Sequence, residues 1–172
     1  MSETLYLDRC PSPVGELTIV VSERGLRALL WESERIGRVR FDQTLCERQT
    51  DVSRAVAAQL GEYFEGSRTS FDVALDPSGT EFQKRAWAAL REIPYGETVS
   101  YGEQARRLGD VGLARAVGAA NGRNPISIIV PCHRVIGSTG SLVGFAAGLD
   151  AKRFLLHLEN GVAHPGPQVP LF

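Results

Sequence analysis

The chain is predicted to be an α+β protein whose N-terminal region is built on antiparallel strands and whose C-terminal region is mostly helical. Three observations lead to this prediction. Short apolar runs alternate with turn residues early in the chain, helical spacing of apolar residues dominates later, and the turn-forming segment DPSG at 76–79 separates the two patterns. With 172 residues, 43% of them hydrophobic, the chain is long enough to bury a core in each region.

In the N-terminal region we expect three strands, at residues 5–7, 17–21 and 26–31. Their order favours an antiparallel meander. Apolar residues then recur at helical spacing over 52–64, and a short strand is expected over 71–75. No catalytic constellation is visible here, so residues 1–76 are assigned to an N-terminal structural domain.

In the C-terminal region a pair of capping boxes predicts where helices begin: Thr80 with Gln83, and Ser100 with Glu103. The first of these helices must end before Pro94. We expect residues 77–160 to form a C-terminal domain and 161–172, rich in Pro and Gly, to be an irregular tail.

Two expected helices, through residue 108 and over 113–121, are separated by Gly109, and this is the helix-turn-helix pattern. The second helix would then lie in a DNA groove, where its small side chains would allow a close approach. A plain helical hairpin packed on a core fits the same pattern equally well.

The net charge of −1 hides an asymmetry. Residues 1–79 carry nine arginines against 13 acidic residues, whereas 80–160 carry ten basic and seven acidic residues. Between 106 and 134 Asp110 is the only acidic residue, among five arginines at positions 106, 107, 115, 123 and 134. A polyanion would be attracted to this segment, although a solvated charged face has the same composition.

Several classes of protein are not expected. The chain has no basic start followed by an apolar run and no stretch of roughly 18 apolar residues. We therefore expect neither secretion nor a membrane span, and we expect a cytoplasmic location. Three cysteines without a C-x-x-C pair predict reduced thiols: Cys10, Cys46 and Cys132. No nucleotide-binding motif is present, so no cofactor is expected.

Cys132 is the candidate nucleophile. A free cysteine has a pKa near 8.5, so only about 3% of it is thiolate at pH 7. The adjacent His133 could take the proton if the chain bends at Pro131, after an expected buried strand over 126–130. A carboxylate such as Glu159, in a final helix over about 150–160, could orient the imidazole. A buried, inert cysteine is equally compatible with these residues.

The surroundings of Cys132 resemble one family closely. The order of motifs is IPYGETVSY, ARAVG, NP, IIVPCHRVIGSTG and a helix that ends in Glu159. This set is similar to the O6-alkylguanine-DNA alkyltransferases, or methylated-DNA–protein-cysteine methyltransferases, over residues 80–160, and only in the order of elements over 1–79. The resemblance implies a ribonuclease-H-like α/β N-terminal domain and a winged helix-turn-helix DNA-binding domain.

The resemblance also implies catalytic roles. Cys132 matches the alkyl acceptor, His133 the base that acts through a water, and Glu159 the carboxylate behind the histidine. Asn124 matches a hinge between the recognition helix and the active-site turn, and an ordinary Asx-turn before a proline is compatible with that role.

Four further residues match substrate-binding positions. Arg115 would fill the gap left by the flipped base, although a phosphate contact is an alternative. Tyr101 would help to rotate the nucleotide and protonate the departing guanine, although a core tyrosine is common. Ser138 would lie near the guanine, and Phe145 belongs to the substrate loop.

The function implied is direct-reversal DNA repair. The alkyl group of O6-alkylguanine, with O4-alkylthymine as a further candidate substrate, would pass irreversibly to Cys132 in a single turnover, and the partner would be double-stranded DNA in the nucleoid. The protein would be a monomer that can cluster on DNA. A lesion-binding module without a nucleophile and a cysteine hydrolase are the rival functions.

Two features depart from the family. Phe145-Ala146-Ala147-Gly148 stands where Tyr, Ser or Gly, and Gly-Gly are expected, which predicts a narrower pocket that accepts benzyl less readily than methyl. The histidines are residues 133, 157 and 164, so Cys10 and Cys46 lack the partners of a structural zinc site, and no metal is expected.

Overall fold

The computed structural model of the protein describes residues 3–165, and the chain divides into two compact units. The first unit contains the chain up to Ser78 together with Pro125–Ser127, and the second contains Gly79–Asn124 and the chain from Ile128 onward. The first is built on a sheet and the second is mostly helical, so the predicted α+β fold is confirmed. In residues 3–165 no helix is both long and apolar enough to cross a membrane.

The first unit is a four-stranded sheet with one helix. Its strands are β1 (Thr4–Cys10), β2 (Leu17–Val21), β3 (Leu26–Trp31) and β4 (Thr44–Glu47), in the spatial order β3-β2-β1-β4. The first three strands form the predicted antiparallel meander. Strand β4 pairs parallel to β1 and was not predicted, because its four side chains are all exposed and show no apolar alternation.

Helix α1 (Asp51–Phe64) begins at a capping box, in which Thr50 and Ser53 satisfy each other's backbone N–H groups. The helix packs against β2 and buries Val56, Leu60 and Tyr63. A cluster of fully buried residues lies in the sheet: Leu5, Val20 and Ala28.

The strand predicted over 71–75 does not form. Strand β3 divides its free edge between two segments: Leu26 bonds Ala74 and Asp76, and Leu29 bonds residues 125–127. Each segment therefore makes a single bridge, through Leu75 and Ile126, and neither has room to extend into a strand.

The second unit contains the remaining helices: α2 (Glu81–Leu90), α3 (Tyr101–Arg107), α4 (Ala114–Gly122) and α5 (Leu149–Ala163). Helices α3 and α4 pack on each other and on α2, with a 3₁₀ turn, Val111–Leu113, before α4. The short strands β5 (Val99–Ser100) and β6 (Val135–Ile136) pair in parallel. The helix-turn-helix arrangement is thus present, and Gly109 closes α3 at φ 115°.

Buried polar contacts fix these helices. The indole of Trp87 on α2 donates to the carbonyl of Ala120 on α4 at 2.8 Å. The amides of Gln104 and Asn121 exchange two hydrogen bonds between α3 and α4, of 3.1 and 2.8 Å. Both amides are buried, so either one left alone would be strongly destabilising.

The helix caps match the prediction incompletely. The Thr80 box is complete, and the Ser100 hydroxyl accepts from the N–H of Glu103 at 3.0 Å. The Glu103 carboxylate instead pairs with Arg106 and Arg107, four or fewer residues along the same helix.

Helix α5 continues beyond the predicted start of the tail at 161. Its last turn packs Ala163 against Gly96, where a Cβ would collide with the alanine, and the N–H of His164 still donates to Asn160 at 2.9 Å. The rest of the predicted tail, 166–172, lies outside the described residues.

Candidate active site

Cys132 lies at a bend, as its proposed reactivity requires. Residues 126–130 are buried but form a turn instead of the predicted strand, because only Ile126 bridges to a neighbouring strand. Pro131 has φ −83° and ψ 65°, and the N–H of Cys132 donates to Val130 at 2.9 Å, which is an inverse γ-turn. We call residues 131–134 the cysteine turn.

The backbone before the cysteine turn is strained. Ile128 has φ 70° and is the only non-glycine residue with positive φ in the described chain. A β-branched side chain disfavours this conformation, which costs about 1–3 kcal/mol. Burial of the Ile128 side chain, only 1% exposed, offsets that strain.

Asn124 ties the two ends of this segment together. Its side-chain amide donates to the carbonyl of Val130 at 2.9 Å, six residues ahead, and it is 1% exposed. The residues between Asn124 and Ile128 belong to the first unit, where Ile126 bridges to Leu29 of β3. An amide at 124 therefore closes a loop that connects the end of α4 to the cysteine turn.

His133 and Glu159 form the predicted pair. The Nε2 atom of His133 lies 2.8 Å from Oε2 of Glu159, and both side chains are buried. Burial lowers the pKa of His133, with Glu159 acting in the opposite direction, and the ring is neutral at pH 7. Since a carboxylate only accepts, Nε2 carries the proton and Nδ1 the lone pair.

The Nδ1 atom of His133 can act as a proton acceptor. It is buried and has no hydrogen-bond partner among the atoms of residues 3–165. The ring follows Cys132 directly in the cysteine turn, and the thiol is partly exposed. The pair thus offers a proton acceptor next to a sulfur that a substrate can reach.

Sequence reasoning missed Arg134 as a member of the site. It was counted among surface arginines, but its Nε donates to Glu159 at 2.7 Å and its Nη1 to the carbonyl of Ile93 at 2.8 Å. Its guanidinium also lies over the ring of Tyr95. Burial opposes ionisation of Glu159, but His133 and Arg134 outweigh it and lower its pKa, so the carboxylate stays charged.

Lys152 on α5 was also missed. Its Nζ atom donates to the carbonyls of Val135, at 2.7 Å, and Val143, at 3.1 Å. Burial lowers the pKa of Lys152, and the charge of Cys132 raises it. A lone lysine in a helix gives no sequence signal that distinguishes it from a surface residue.

Tyr101, the first residue of α3, lies near the same sulfur. Its hydroxyl donates to the carbonyl of Val143 at 3.2 Å. Burial raises the pKa of the phenol, and the charge of Cys132 raises it further. Tyr101 is therefore a protonated phenol at neutral pH and retains a proton that it can donate.

The other predicted substrate residues lie in two parts of the second unit, on α4 and in the loop between β6 and α5. Arg115 is exposed in the first turn of α4, and Ser138 lies in an exposed turn after β6. Phe145 is partly buried in the loop over 137–148, which we call the pocket loop. In this loop the positive φ angles fall on glycines, Gly144 among them, and not on the two alanines, so these add volume without backbone strain.

The exposed charges on α4 and its end fit a polyanion. Arg115 and Arg123 are exposed, and Arg106 and Arg107 also lie at the surface beside Glu103. Arg134 does not contribute, since it is buried against Glu159. A nucleic-acid surface on this unit therefore rests on four arginines instead of the five counted in the sequence.

Comparisons with known proteins cover nearly the whole chain. Residues 81–161 match the family model described as 6-O-methylguanine DNA methyltransferase, DNA binding domain, and residues 1–77 match its ribonuclease-like domain. A methylated-DNA–protein-cysteine methyltransferase from Methanosarcina acetivorans is 49% identical over 156 residues, which are 91% of this chain and 99% of the relative.

Mycobacterial proteins are similar as well. A methylated-DNA–protein-cysteine methyltransferase from Mycolicibacterium paratuberculosis is 49% identical over 87% of this chain and 88% of its own. The crystal structure of Mycobacterium tuberculosis OGT in complex with DNA is 45% identical, covers 92% of this chain and 94% of that one, and superposes with a TM-score of 0.81.

Proposed function

Because the chain belongs to the 6-O-methylguanine DNA methyltransferase family, we propose that Cys132 is the residue that accepts the alkyl group. The activity is the transfer of a methyl group from methylated DNA to a cysteine of the protein itself, which repairs the DNA by direct reversal. DNA is the partner. The observation that carries the choice of cysteine is the buried His133–Glu159 pair next to Cys132.

The other cysteines lack such a neighbour. Cys10 and Cys46 lie in the N-terminal region, and the chain contains no histidine up to residue 132. Burial raises the pKa of Cys10, and the charges of Asp8 and Glu16 raise it further, so this thiol resists ionisation. Cys132 is the one cysteine with a base beside it.

The chemistry follows from these positions. The Cys132 proton passes to Nδ1 of His133 through one water, and Glu159 stabilises the resulting imidazolium. The thiolate attacks the alkyl carbon, the S–C bond forms, and the C–O6 bond breaks with its electron pair on guanine. Tyr101 donates a proton to the guanine as it leaves. Water does not hydrolyse the thioether product, so each protein molecule reacts once.

Access to the alkyl group requires the nucleotide to leave the base stack, which costs a few kcal/mol. Helix α4 enters the groove, Arg115 fills the gap, and Asn124 transmits the position of α4 to the cysteine turn. Ser138 and Phe145 line the pocket around the flipped guanine. The substrate is O6-alkylguanine in double-stranded DNA, bound by a monomer in the cytoplasm.

The test measures guanine restored in an O6-methylguanine duplex against the amount of protein added. We expect one equivalent per protein, none with Cys132→Ala, and one equivalent with the control Cys46→Ala. Restoration of several equivalents would indicate a hydrolase, and binding without restoration would indicate a lesion-binding module; either result would overturn the proposal.

A further inference from the structure

Lys152 is an unusual residue for this chain. Of its 19 basic residues only two are lysines, Lys84 and Lys152. Lys84 is exposed on α2, whereas Lys152 is 0% exposed. In a chain that otherwise uses arginine, a lysine therefore occupies a fully buried position near Cys132.

We propose that Lys152 is a positioning residue for the alkyl transfer: its ammonium ties the pocket loop to β6, which follows the cysteine turn directly, and fixes a positive charge near Cys132. The inference rests on the proposed function and adds to it a residue that neither binds DNA nor carries the alkyl group. By binding Val135 and Val143, Lys152 would keep the pocket loop at a fixed position relative to the sulfur of Cys132.

The two carbonyls that Lys152 binds belong to different segments. Val135 follows the cysteine turn directly and begins β6, and Val143 lies in the pocket loop. The carbonyl of Val143 also accepts the hydroxyl of Tyr101. One ammonium thus connects the start of β6, the pocket loop and, through a shared carbonyl, the first residue of α3.

The pocket loop needs such a connection. Over 137–148 it contains no helix or strand, and its internal backbone bonds close two small turns, Gly137 with Ser141 and Phe145 with Gly148. Val143 lies between these turns. The bonds from Lys152 and Tyr101 to Val143 therefore hold the part of the loop that lies between these two turns.

A lysine suits this place better than an arginine. An ammonium is a compact charge with three rotatable N–H donors, whereas a guanidinium is a wide planar fork. Two donors of Lys152 bind carbonyls that face it from separate segments, and the third has no acceptor among residues 3–165.

Burial of this charge is unfavourable, and the structure shows what offsets it. Burial lowers the pKa of Lys152, while the Cys132 charge raises it and is the one side-chain charge in the described chain that does so. Among the described residues, the charge of Cys132 raises the pKa of Tyr101 and of Lys152, and His133 is the next residue in the chain. Lys152 also acts on His133 and helps to lower its pKa. Lys152 is the only one of these three that is a cation at neutral pH, and it stabilises the thiolate before attack.

The test compares Lys152→Met with the control Lys84→Met, which removes the exposed lysine. Met has nearly the length of Lys but no charge and no donor. We expect the rate of methyl transfer at saturating O6-methylguanine duplex to fall by about a hundredfold in Lys152→Met, because both loop position and charge are lost. The half-saturating DNA concentration should change less than about twofold, since the DNA surface is intact.

A second measurement does not depend on DNA. The rate at which iodoacetamide modifies Cys132, followed by peptide mass spectrometry, is measured against pH. Removal of the cation should move the pH midpoint of this rate upward by about one unit in Lys152→Met. Lys152→Arg keeps the charge, so its midpoint should stay at the wild-type value although its transfer is slower.

The outcomes separate this inference from the proposed function. Transfer by wild type and Lys84→Met, with slow transfer and a raised midpoint in Lys152→Met, supports both. Wild-type transfer together with an unchanged rate and midpoint in Lys152→Met overturns the role of Lys152 alone. If Lys152→Met does not fold, the test uses Lys152→Arg. A raised pH midpoint of the iodoacetamide reaction in Lys152→Arg would contradict the role of the charge. Failure of wild type to transfer overturns the proposed function, and the role of Lys152 in transfer with it.

Discussion

His133 must stay neutral in the resting protein to serve as a base, and its surroundings keep it neutral. Full burial disfavours the imidazolium, while Glu159 lies at 2.8 Å and stabilises it once the thiol proton arrives. Arg134 holds the carboxylate ionised and in place from its other side. The proposed reactive site therefore consists of Cys132, His133 and Arg134 together with Glu159 from α5.

Sequence reasoning found most of this residue set. Cys132 next to His133 indicated a nucleophile and a base, and Glu159 in the final helix was the candidate carboxylate to orient the imidazole, a role that the family resemblance also implied. Arg134 was assigned to the surface because burial of an arginine depends on a partner 25 residues away, which spacing alone does not indicate. Lys152 was missed because its acceptors are backbone carbonyls, which leave no trace in the sequence.

Acid should destabilise the protein through His133. Its folded pKa is lowered, so the unfolded chain binds the proton first, and stability present above pH 6.5 is lost as the pH falls below it. The lowered pKa of Glu159 extends the loss below pH 4.5. We expect the free energy of unfolding, measured in urea, to decline as the pH falls from 6.5 to 4.5.

Two variants test whether His133 causes this decline in the free energy of unfolding. His133→Gln should flatten it between pH 6.5 and 4.5, whereas His157→Gln, which removes an exposed histidine, should leave it as in wild type. An equal decline in the His133 variant would show that other groups control acid stability.

Among the elements, the cysteine turn and the segment before it depart most from regular structure. A run of apolar residues between two prolines predicted a buried strand, and the burial is correct. The strand fails because Leu29 engages only residues 125–127, after which Ile128 turns into the left-handed region. Irregular backbone next to the proposed nucleophile fits the general observation that local sequence rules fail most often at functional sites.

The strain at Ile128 has a measurable signature. A protein with glycine at a given position is usually less stable than the same protein with alanine there, but at a position with positive φ the glycine variant is the more stable one. Ile128→Gly should therefore be more stable than Ile128→Ala by about 1 kcal/mol in urea unfolding, although both lose the buried side chain. At Ile129, whose φ is not positive, the same pair should show the usual order. Alanine more stable than glycine at both positions would refute the strain.

The pocket loop should limit the size of the alkyl group. Ala147 adds a Cβ where the family resemblance implies glycine, and Ala146 adds one relative to a glycine at a position where the resemblance implies Ser or Gly. We expect the second-order rate with O6-benzylguanine to be well below that with O6-methylguanine in duplex DNA, and Ala147→Gly to raise the ratio of the two. Comparable rates for both substrates in the wild type would contradict a narrow pocket.

In the whole molecule, the candidate site residues are distributed unevenly between the two units. The unit with the sheet carries no histidine, and the site residues all belong to the helical unit. The meander and the helix-turn-helix could be predicted because local periodicity and capping residues specify them. Strand β4, the edge of β3 and the return of Pro125–Ser127 to the first unit depend on pairings between distant residues, which local pattern does not contain.

Substitution of Arg115 should affect the transfer rate, whereas substitution of another exposed arginine should affect the affinity for DNA. If Arg115 replaces the flipped nucleotide, Arg115→Ala should lower the transfer rate at saturating DNA by about tenfold or more, since the cost of flipping is no longer offset. Arg123→Ala should weaken binding and reduce the log-log salt slope by about one without slowing transfer at saturation. Equal effects of the two variants would make Arg115 a phosphate contact.

The central claim, that Cys132 takes one alkyl group and keeps it, is tested most directly by mass spectrometry of the protein after reaction with excess O6-methylguanine duplex. We expect the intact mass to rise by a single methyl group and then stay constant, and the methyl group to map to the peptide containing Cys132. A methyl group on Cys10 or Cys46, or an unmodified protein that has restored guanine in the DNA, would contradict it.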